Sequence, residues 1–201
     1  MGVGLPSQPG KRTFSDDVLK IEICGPDQQH LSVVDVPGIF RSITEGVTTQ
    51  RDKVMVRDMI VSYMENPRSV ILAVIPANVD IATQEILDMA HAIDTRKQRT
   101  LGVLTKPDLV DRGAHYRIND LVEGNSHPLT LGWSVVRNPG QEDLKNDSYN
   151  RHAEERDFFK NDSRFNKLPT DRVGIVALES RLGKILAEIV RREFPHVCIL
   201  L

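Results

Sequence analysis

The sequence contains few cysteines and no long hydrophobic run. Cys24 and Cys198 are the two cysteines among 201 residues. They lie far apart and form no ligand cluster or disulfide framework, so zinc is not implied and a reducing, intracellular compartment is expected. No apolar stretch approaches the ~20 residues that span a bilayer, and no signal-peptide hydrophobic region opens the chain. These absences favour a soluble protein that is cytoplasmic, or peripheral to membranes.

A large excess of charge of either sign is also absent. The 26 basic and 28 acidic residues leave a formal net charge of -2. No overall electrostatic field therefore favours nucleic acid or an acidic membrane, and we expect no nucleic-acid partner. With 201 residues and 40% hydrophobic content, the chain is long enough to bury one core, and a second full domain is not expected.

Strand and helix patterns alternate along the middle of the chain. Apolar runs predict buried strands at 69–77, 100–105 and 132–136, and helical spacing predicts helices at 50–65 and 80–93. This alternation is typical of an α/β fold with a doubly wound parallel sheet.

Further elements are predicted on either side of this alternating region. Runs at 18–24 and 31–36, joined by a Gly-Pro turn, predict an antiparallel hairpin. The polar segment 141–171 is interpreted as a surface helix docked by its phenylalanines. An amphipathic helix is predicted from Asp171 to Phe194, where Pro195 ends it.

A carboxylate and a glycine follow the run that begins at Leu31. Asp35 ends the apolar part of this run and Gly38 follows three residues later, in the pattern D-x-P-G. At the carboxyl edge of a sheet, where ligands bind in open α/β folds, Asp35 can reach Mg²⁺ through water and the Gly38 N–H can meet a terminal phosphate. A strand that simply ends in a Pro-Gly turn explains the same residues, so D-x-P-G alone decides nothing.

A second motif, Thr105-Lys106-Pro107-Asp108, ends a predicted strand two strands further on. A carboxylate such as that of Asp108 can accept hydrogen bonds from N1–H and the exocyclic amine of guanine, while the Lys106 stem covers the ring. Adenine presents an acceptor where guanine presents a donor, so the geometry selects guanine. T-K-x-D alone is common by chance, and its value lies in the expected position at the same sheet edge as D-x-P-G.

With both motifs in place, the chain resembles the GTPase domain of the dynamin superfamily, the dynamin and Mx-like large GTPases. The resemblance is carried by residues 16–23, 31–38, 76–83 and 101–111. It implies a P-loop-NTPase-like fold and a GTP hydrolase that uses GTP or GDP with Mg²⁺. It also implies a parent protein that acts in membrane remodelling.

The resemblance also assigns roles to individual residues. Asp35 and Gly38 correspond to the magnesium and γ-phosphate motif, with Asp35 reaching the metal through water. Thr105, Lys106 and Asp108 correspond to guanine recognition, and Arg137 and Asn138 to the weaker base-and-ribose loop. The turn at Asp111 resembles the loop that contacts a second GTPase domain in a dimer. Membranes or microtubules are implied as partners only by way of a full-length family member.

Two parts of the family pattern are missing from the sequence. The phosphate-binding loop and the switch threonine belong well upstream of Asp35, and the 34 residues before it are too few to hold them. Gly4 to Lys11 resembles the loop, but its spacing is one residue too long and Arg12 occupies the Ser or Thr position. We therefore expect weak GTP binding and negligible turnover.

The expected architecture follows from these parts. It consists of a disordered tail at 1–13, a partial GTPase domain at 14–171, and an amphipathic helix at 172–201 that leads toward a stalk. The doubly wound, mostly parallel sheet is expected to be incomplete, without the phosphate-loop strand and the first helix.

Two functions remain open. The chain is either part of a dynamin-type GTP hydrolase, or a non-catalytic interaction or regulatory module that acts through GTPase-domain contacts. Cys198-Ile199-Leu200-Leu201 has the form of a prenylation motif, and a chance match is the preferred explanation because the motif is loosely defined.

Overall fold

The computed structural model describes residues 14–15, 17–26, 32–39, 48–146 and 148–198. The tail predicted at 1–13 lies outside this part of the chain, as do the last three residues of the motif that begins at Cys198. The chain divides into two units, Met1–Ser69 and Val70–Leu201. The two units are described separately below.

The second unit is built on a three-stranded parallel sheet. Its strands are β1 (Ile71–Pro76), β2 (Thr100–Thr105) and β3 (Trp133–Val135), in the order β1-β2-β3. Ile71 pairs with Thr100 and Gly102 pairs with Trp133. All three strands lie within the runs predicted from the sequence, and the predicted α/β fold with a partial, parallel sheet is confirmed.

Helices lie between and after the strands. α1 belongs to the first unit, and the others belong to the second: α1 (Gln50–Met64), α2 (Glu85–Ile93), α3 (Tyr116–Glu123), α4 (Arg151–Asn161) and α5 (Ile175–Cys198). The helix predicted at 80–93 is a 3₁₀ turn, Ile81–Thr83, followed by α2. Sequence patterns missed α3, although Gly124 ends it in a left-handed conformation that is a common helix stop.

The two faces of the sheet are covered by different helices. Neighbouring residues of a strand point to opposite faces, and Leu104 joins a core cluster with Ile118 and Leu121 of α3. Val103 joins a second cluster with Leu178 and packs against Leu182 of α5. With α3 on one face and α5 on the other, the sheet is doubly wound.

α5 begins later and extends further than the sequence predicted. It begins at Ile175, not near Asp171, and it passes through Pro195 to end at Cys198. Pro195 has no N–H to donate to the carbonyl four residues earlier, and α5 continues for only three residues beyond it. None of the helices in the described part of the chain combines the length and the hydrophobicity that crossing a membrane requires.

The described part of the first unit contains α1 and segments without regular secondary structure. The side chain of Thr49 accepts a hydrogen bond from the Asp52 N–H at 3.2 Å, and Asp52 accepts one from the Thr49 N–H at 2.8 Å, so the helix begins with a capping box. One face of α1 is buried through residues spaced four apart, namely Val56, Ile60 and Met64.

The hairpin predicted from residues 18–24 and 31–36 is wrong for the described residues. Segments 17–26 and 32–39 form neither strand nor helix there. Ile21 and Ile23 are 77% and 76% exposed, and Val33 is 72% exposed. Two strands alone bury too little apolar surface to be stable in water, so a strand-like sequence forms a strand only beside further strands or under a helix.

A buried aspartate fixes the connection between α2 and β2. Asp94 is 6% exposed, and its carboxylate accepts hydrogen bonds from Gln98 N–H at 3.0 Å, Arg99 N–H at 2.8 Å and the Thr100 hydroxyl at 2.8 Å. Burial opposes ionisation, but the bonds from Arg99, Thr100 and Gln98 outweigh it and lower the pKa of Asp94. The ionised carboxylate therefore stabilises this turn.

Replacing Asp94 with Asn is expected to lower the free energy of unfolding at pH 7 by about 3 kcal/mol, because an amide presents a donor to one of these N–H groups. The folded pKa lies below the unfolded value of about 3.9, so the contribution is present above that pH and disappears as the pH falls through the folded pKa. Urea unfolding at several pH values measures this. A difference between wild type and D94N that stays constant down to low pH contradicts the account.

Candidate functional site

The loop after β2 carries the predicted base-recognition motif. Thr105 is the last residue of β2, and its carbonyl accepts a hydrogen bond from Ala77 N–H at 2.7 Å. Lys106 has left-handed backbone angles (φ 56°, ψ 45°) and precedes a 3₁₀ turn, Pro107–Leu109. Pro107 is buried, whereas Lys106 and Asp108 on either side of it are exposed. The turn thus presents an ammonium group and a carboxylate at the carboxyl edge of the sheet.

An arginine from beyond α4 supports this loop. The Arg164 Nη1 donates to the carbonyl of Val110 at 2.7 Å, and Arg164 also forms an ion pair with Asp162 at 2.7 Å. The hydrogen bond with Asp162 raises the pKa of Arg164, burial opposes this, and the negative charge of Asp108 adds to the increase. Arg164 is therefore both a clamp on the loop and a positive charge near Asp108.

The loop after β3 carries the other pair of predicted residues, and α4 holds it. The Arg137 N–H donates to Glu155 Oε1 at 2.7 Å, and the Asn138 Oδ1 accepts from Arg151 Nη2 at 3.0 Å. The Arg137 guanidinium lies over the ring of Phe158 at 5.3 Å. Its Nε is buried and has no hydrogen-bond partner among the described residues. The Arg137 Nη2 lies 3.8 Å from Asp143 Oδ2, so the guanidinium also faces a carboxylate.

These two loops lie next to each other at one edge of the sheet. β2 and β3 are paired parallel strands, and the N–H of Val136, the first residue after β3, donates to Leu104 O at 2.9 Å near the end of β2. The structure therefore brings Lys106 and Asp108 to the same edge as Arg137 and Asn138. Their role in binding stays a prediction.

Asp35 and Gly38 belong to the first unit, so their position relative to Asp108 stays a prediction. Asp35 is exposed on a segment without regular secondary structure, and no atom lies within 4 Å of the position that a Cβ on Gly38 would occupy. No cluster of three or more His, Cys, Asp or Glu side chains suited to a metal ion occurs in the described ranges. Mg²⁺ commonly uses one or two carboxylates together with substrate phosphates, so Asp35 fits it only as part of a nucleotide complex.

The turn predicted to contact a second GTPase domain follows the loop after β2. The Asp111 carbonyl accepts a hydrogen bond from Ala114 N–H at 2.9 Å, and Asp111, Arg112 and Gly113 are all exposed. Arg112 lines an open groove of about 460 Å³ together with Arg164. The turn is thus accessible on the second unit, beside the residue that clamps Val110.

Sequence reasoning missed the residues that hold the loops. Arg151, Glu155 and Arg164 lie 13, 18 and 54 residues from the groups they bond. No local motif marks such contacts. One feature of the sequence does point to Glu155. It lies four residues before Phe159 on α4, so a charged residue shares the buried face of that helix.

Two family models match most of the chain. A family model described as the dynamin family matches residues 6–107, and a model described as the dynamin central region matches residues 117–198. The chain belongs to the dynamin family. The predicted resemblance is confirmed, and the second model continues the match through α3, α4 and α5.

Individual members of the dynamin family are similar over most of the chain. The interferon-induced GTP-binding protein Mx of Perca fluviatilis is 36% identical over 181 residues, which are 88% of this chain and 58% of the relative. Mx1 of Mus musculus is 34% identical over 185 residues, 90% of the chain and 29% of the relative. Dynamin-B of Dictyostelium discoideum is 35% identical over 188 residues, 92% and 20% respectively. The chain thus spans between a fifth and three fifths of the length of these relatives.

Proposed function

We propose that the loops after β2 and β3 bind the base of a guanine nucleotide, and that this chain is part of a dynamin-type GTP hydrolase. The observation that carries the proposal is the placement of Lys106, Asp108, Arg137 and Asn138 at the carboxyl edge of two paired parallel strands. Ligands bind at this edge in open α/β folds. The Mx relatives are GTP-binding proteins by name.

The chemistry of the β2 loop suits guanine. Asp108 is exposed on a short turn, so both carboxylate oxygens can accept hydrogen bonds, one from N1–H and one from the exocyclic amine. Lys106 is exposed beside it, and its aliphatic stem can cover the ring while the ammonium group stays in water. Thr105 anchors the turn to the sheet.

The loop after β3 supplies further candidate contacts to the nucleotide. The Arg137 guanidinium lies between the Phe158 ring and the Asp143 carboxylate, and Asn138 is exposed with an amide oxygen that accepts from Arg151. We propose that these two residues contact the base and the ribose.

We further propose that Asp35 binds Mg²⁺ through water and that Gly38 contacts the γ-phosphate. No G-x-x-x-x-G-K-[ST] pattern occurs in the 34 residues before Asp35, and this loop supplies most of the phosphate cradle in P-loop enzymes. The 201-residue chain is therefore proposed to bind GTP weakly and to hydrolyse it negligibly. Membrane remodelling belongs to a full-length parent, which we propose to be cytoplasmic or peripheral to membranes.

Calorimetric titration of the 201-residue chain with GDP, GTP and ADP tests the proposal. We expect guanine-selective binding with a dissociation constant above about 0.1 mM, a binding free energy of less than about 5.5 kcal/mol. Equal affinity for ADP contradicts base recognition by Asp108. Tight, Mg²⁺-dependent GTP binding contradicts the proposed weakness of the phosphate site and leaves base recognition intact.

A second function, a non-catalytic interaction or regulatory module, is supported by the exposed Asp111 turn. In that case the chain forms a dimer through this turn without guanine selectivity. Sedimentation of the wild-type chain and of an Asp111→Ala variant, with and without GDP, separates the two functions. A dimer that is independent of GDP and lost in the variant supports the second.

A further inference from the structure

Glu155 is a buried carboxylate on a helix that is otherwise polar and exposed over most of its length. It is 3% exposed, and with Asp94 it is one of two buried acidic residues among the described residues. Burying a charge is costly unless hydrogen bonds compensate for it. The partners of Glu155 therefore indicate why the carboxylate lies there.

Each oxygen of Glu155 has a different backbone partner. Oε1 accepts a hydrogen bond from the Arg137 N–H at 2.7 Å, and Oε2 accepts one from the Ile175 N–H at 2.8 Å. Both distances are typical of strong bonds to an ionised group. Arg137 belongs to the proposed base-and-ribose loop, and Ile175 is the first residue of α5. One carboxylate thus joins the nucleotide loop to the helix that leaves the sheet.

The surroundings of Glu155 leave it little freedom. Gly174, with φ +85°, precedes Ile175, and a Cβ at Gly174 would lie 3.5 Å from Glu155 Oε2. The Gly174 N–H donates to Val135 O at 2.8 Å, which ties the start of α5 to the end of β3. Consecutive hydrogen bonds therefore link the end of β3, Arg137, Glu155 and the start of α5.

We propose that Glu155 is a positioning residue that couples occupancy of the base-and-ribose loop to the first turn of α5. The inference rests on the proposed function of that loop. Arg151, one turn earlier on α4, holds Asn138, so both residues of the loop are fixed by the same helix. When a nucleotide contacts Arg137 and Asn138, the loop becomes less mobile. The Glu155 carboxylate, which bonds both this loop and α5, then strengthens the hydrogen bond from the Ile175 N–H.

Amide hydrogen exchange on the full chain, with saturating GDP or with ADP, tests the coupling. In the wild type, GDP is expected to slow exchange at 106–108 and 137–138 and also at Ile175. In Glu155→Ala, exchange at Arg137 and Ile175 is expected to be about tenfold faster without nucleotide, the size of one lost hydrogen bond. GDP is then expected to have no effect at Ile175. The neighbouring exposed carboxylate supplies the control, and Glu154→Ala is expected to behave as wild type.

Different exchange results contradict the proposed base-binding function and the proposed coupling. No GDP effect at 106–108 overturns the proposed function and the coupling together. A GDP effect at 106–108 and 137–138 without one at Ile175 overturns the coupling alone. Should Glu155→Ala fail to fold, Glu155→Gln keeps the volume and one acceptor oxygen. It is expected to protect one of the two amides and to abolish the GDP effect at Ile175, and a retained effect overturns the proposal.

Discussion

An Asp108→Asn variant is expected to lose at least about a hundredfold in affinity for GDP and to gain affinity for xanthosine diphosphate. The Asn amide presents a donor where the exocyclic amine of guanine also presents a donor, whereas xanthine has a carbonyl at that position. Titration of the variant and the wild type with both nucleotides measures the change. A matched control is Asp88→Asn, which alters an exposed aspartate on α2 and is expected to leave the affinities for both nucleotides unchanged.

The same variant is expected to fold normally. Asp108 is exposed, and surface substitutions of this kind usually change stability by less than about 0.5 kcal/mol. A loss of GDP binding in D108N is therefore attributable to the base site and not to unfolding. If D108N bound GDP as well as the wild type does, at equal stability, Asp108 would not recognise the base.

The largest expected effect on stability belongs to Gly102. This residue lies in the middle of β2 and pairs with Trp133 of β3. A Cβ at Gly102 would lie 2.1 Å from the Cε3 atom of the Trp133 indole. The ring is fully buried, and its N–H donates to His127 O at 2.9 Å, so it cannot move away without losing that bond. Gly102→Ala is expected to lower the free energy of unfolding by about 3 kcal/mol.

Urea denaturation of Gly102→Ala measures this effect, and Gly113→Ala is the matched control. No atom lies within 4 Å of a Cβ at Gly113, so this second variant is expected to be within about 0.5 kcal/mol of the wild type. Equal stability of the two variants would mean that the indole does not pack against β2 as described.

The sequence predicted the sheet well where strands are buried on both sides. Thr100–Thr105 is an apolar run whose first five residues are buried, and both its bounds and its type were predictable. Residues 18–24 have the alternation of a strand, yet they form none in the described chain, because a strand depends on partners that local sequence does not reveal. Helix α3 is only eight residues long, about two helical turns, and so short a segment does not distinguish a helical repeat from chance.

The candidate site was predictable only in its motif residues. Thr105 to Asp108 has a recognisable spacing, and the pairing of β2 with β3 explains why Arg137 and Asn138 reach the same edge. The residues that fix these loops, Glu155 and Arg164, were not predictable, since their bonds connect distant parts of the chain. Tertiary packing, not local pattern, determines them.

The central claim is that guanine nucleotide is recognised by the loops after β2 and β3. Its most direct test is an NMR titration of the 201-residue chain with GDP and, separately, with ADP, because chemical shifts report binding even when affinity is low. The account predicts that GDP shifts the amide resonances of Lys106, Asp108, Arg137 and Asn138 at concentrations where ADP does not. Shifts of equal size with ADP, or GDP shifts confined to other residues, would contradict it.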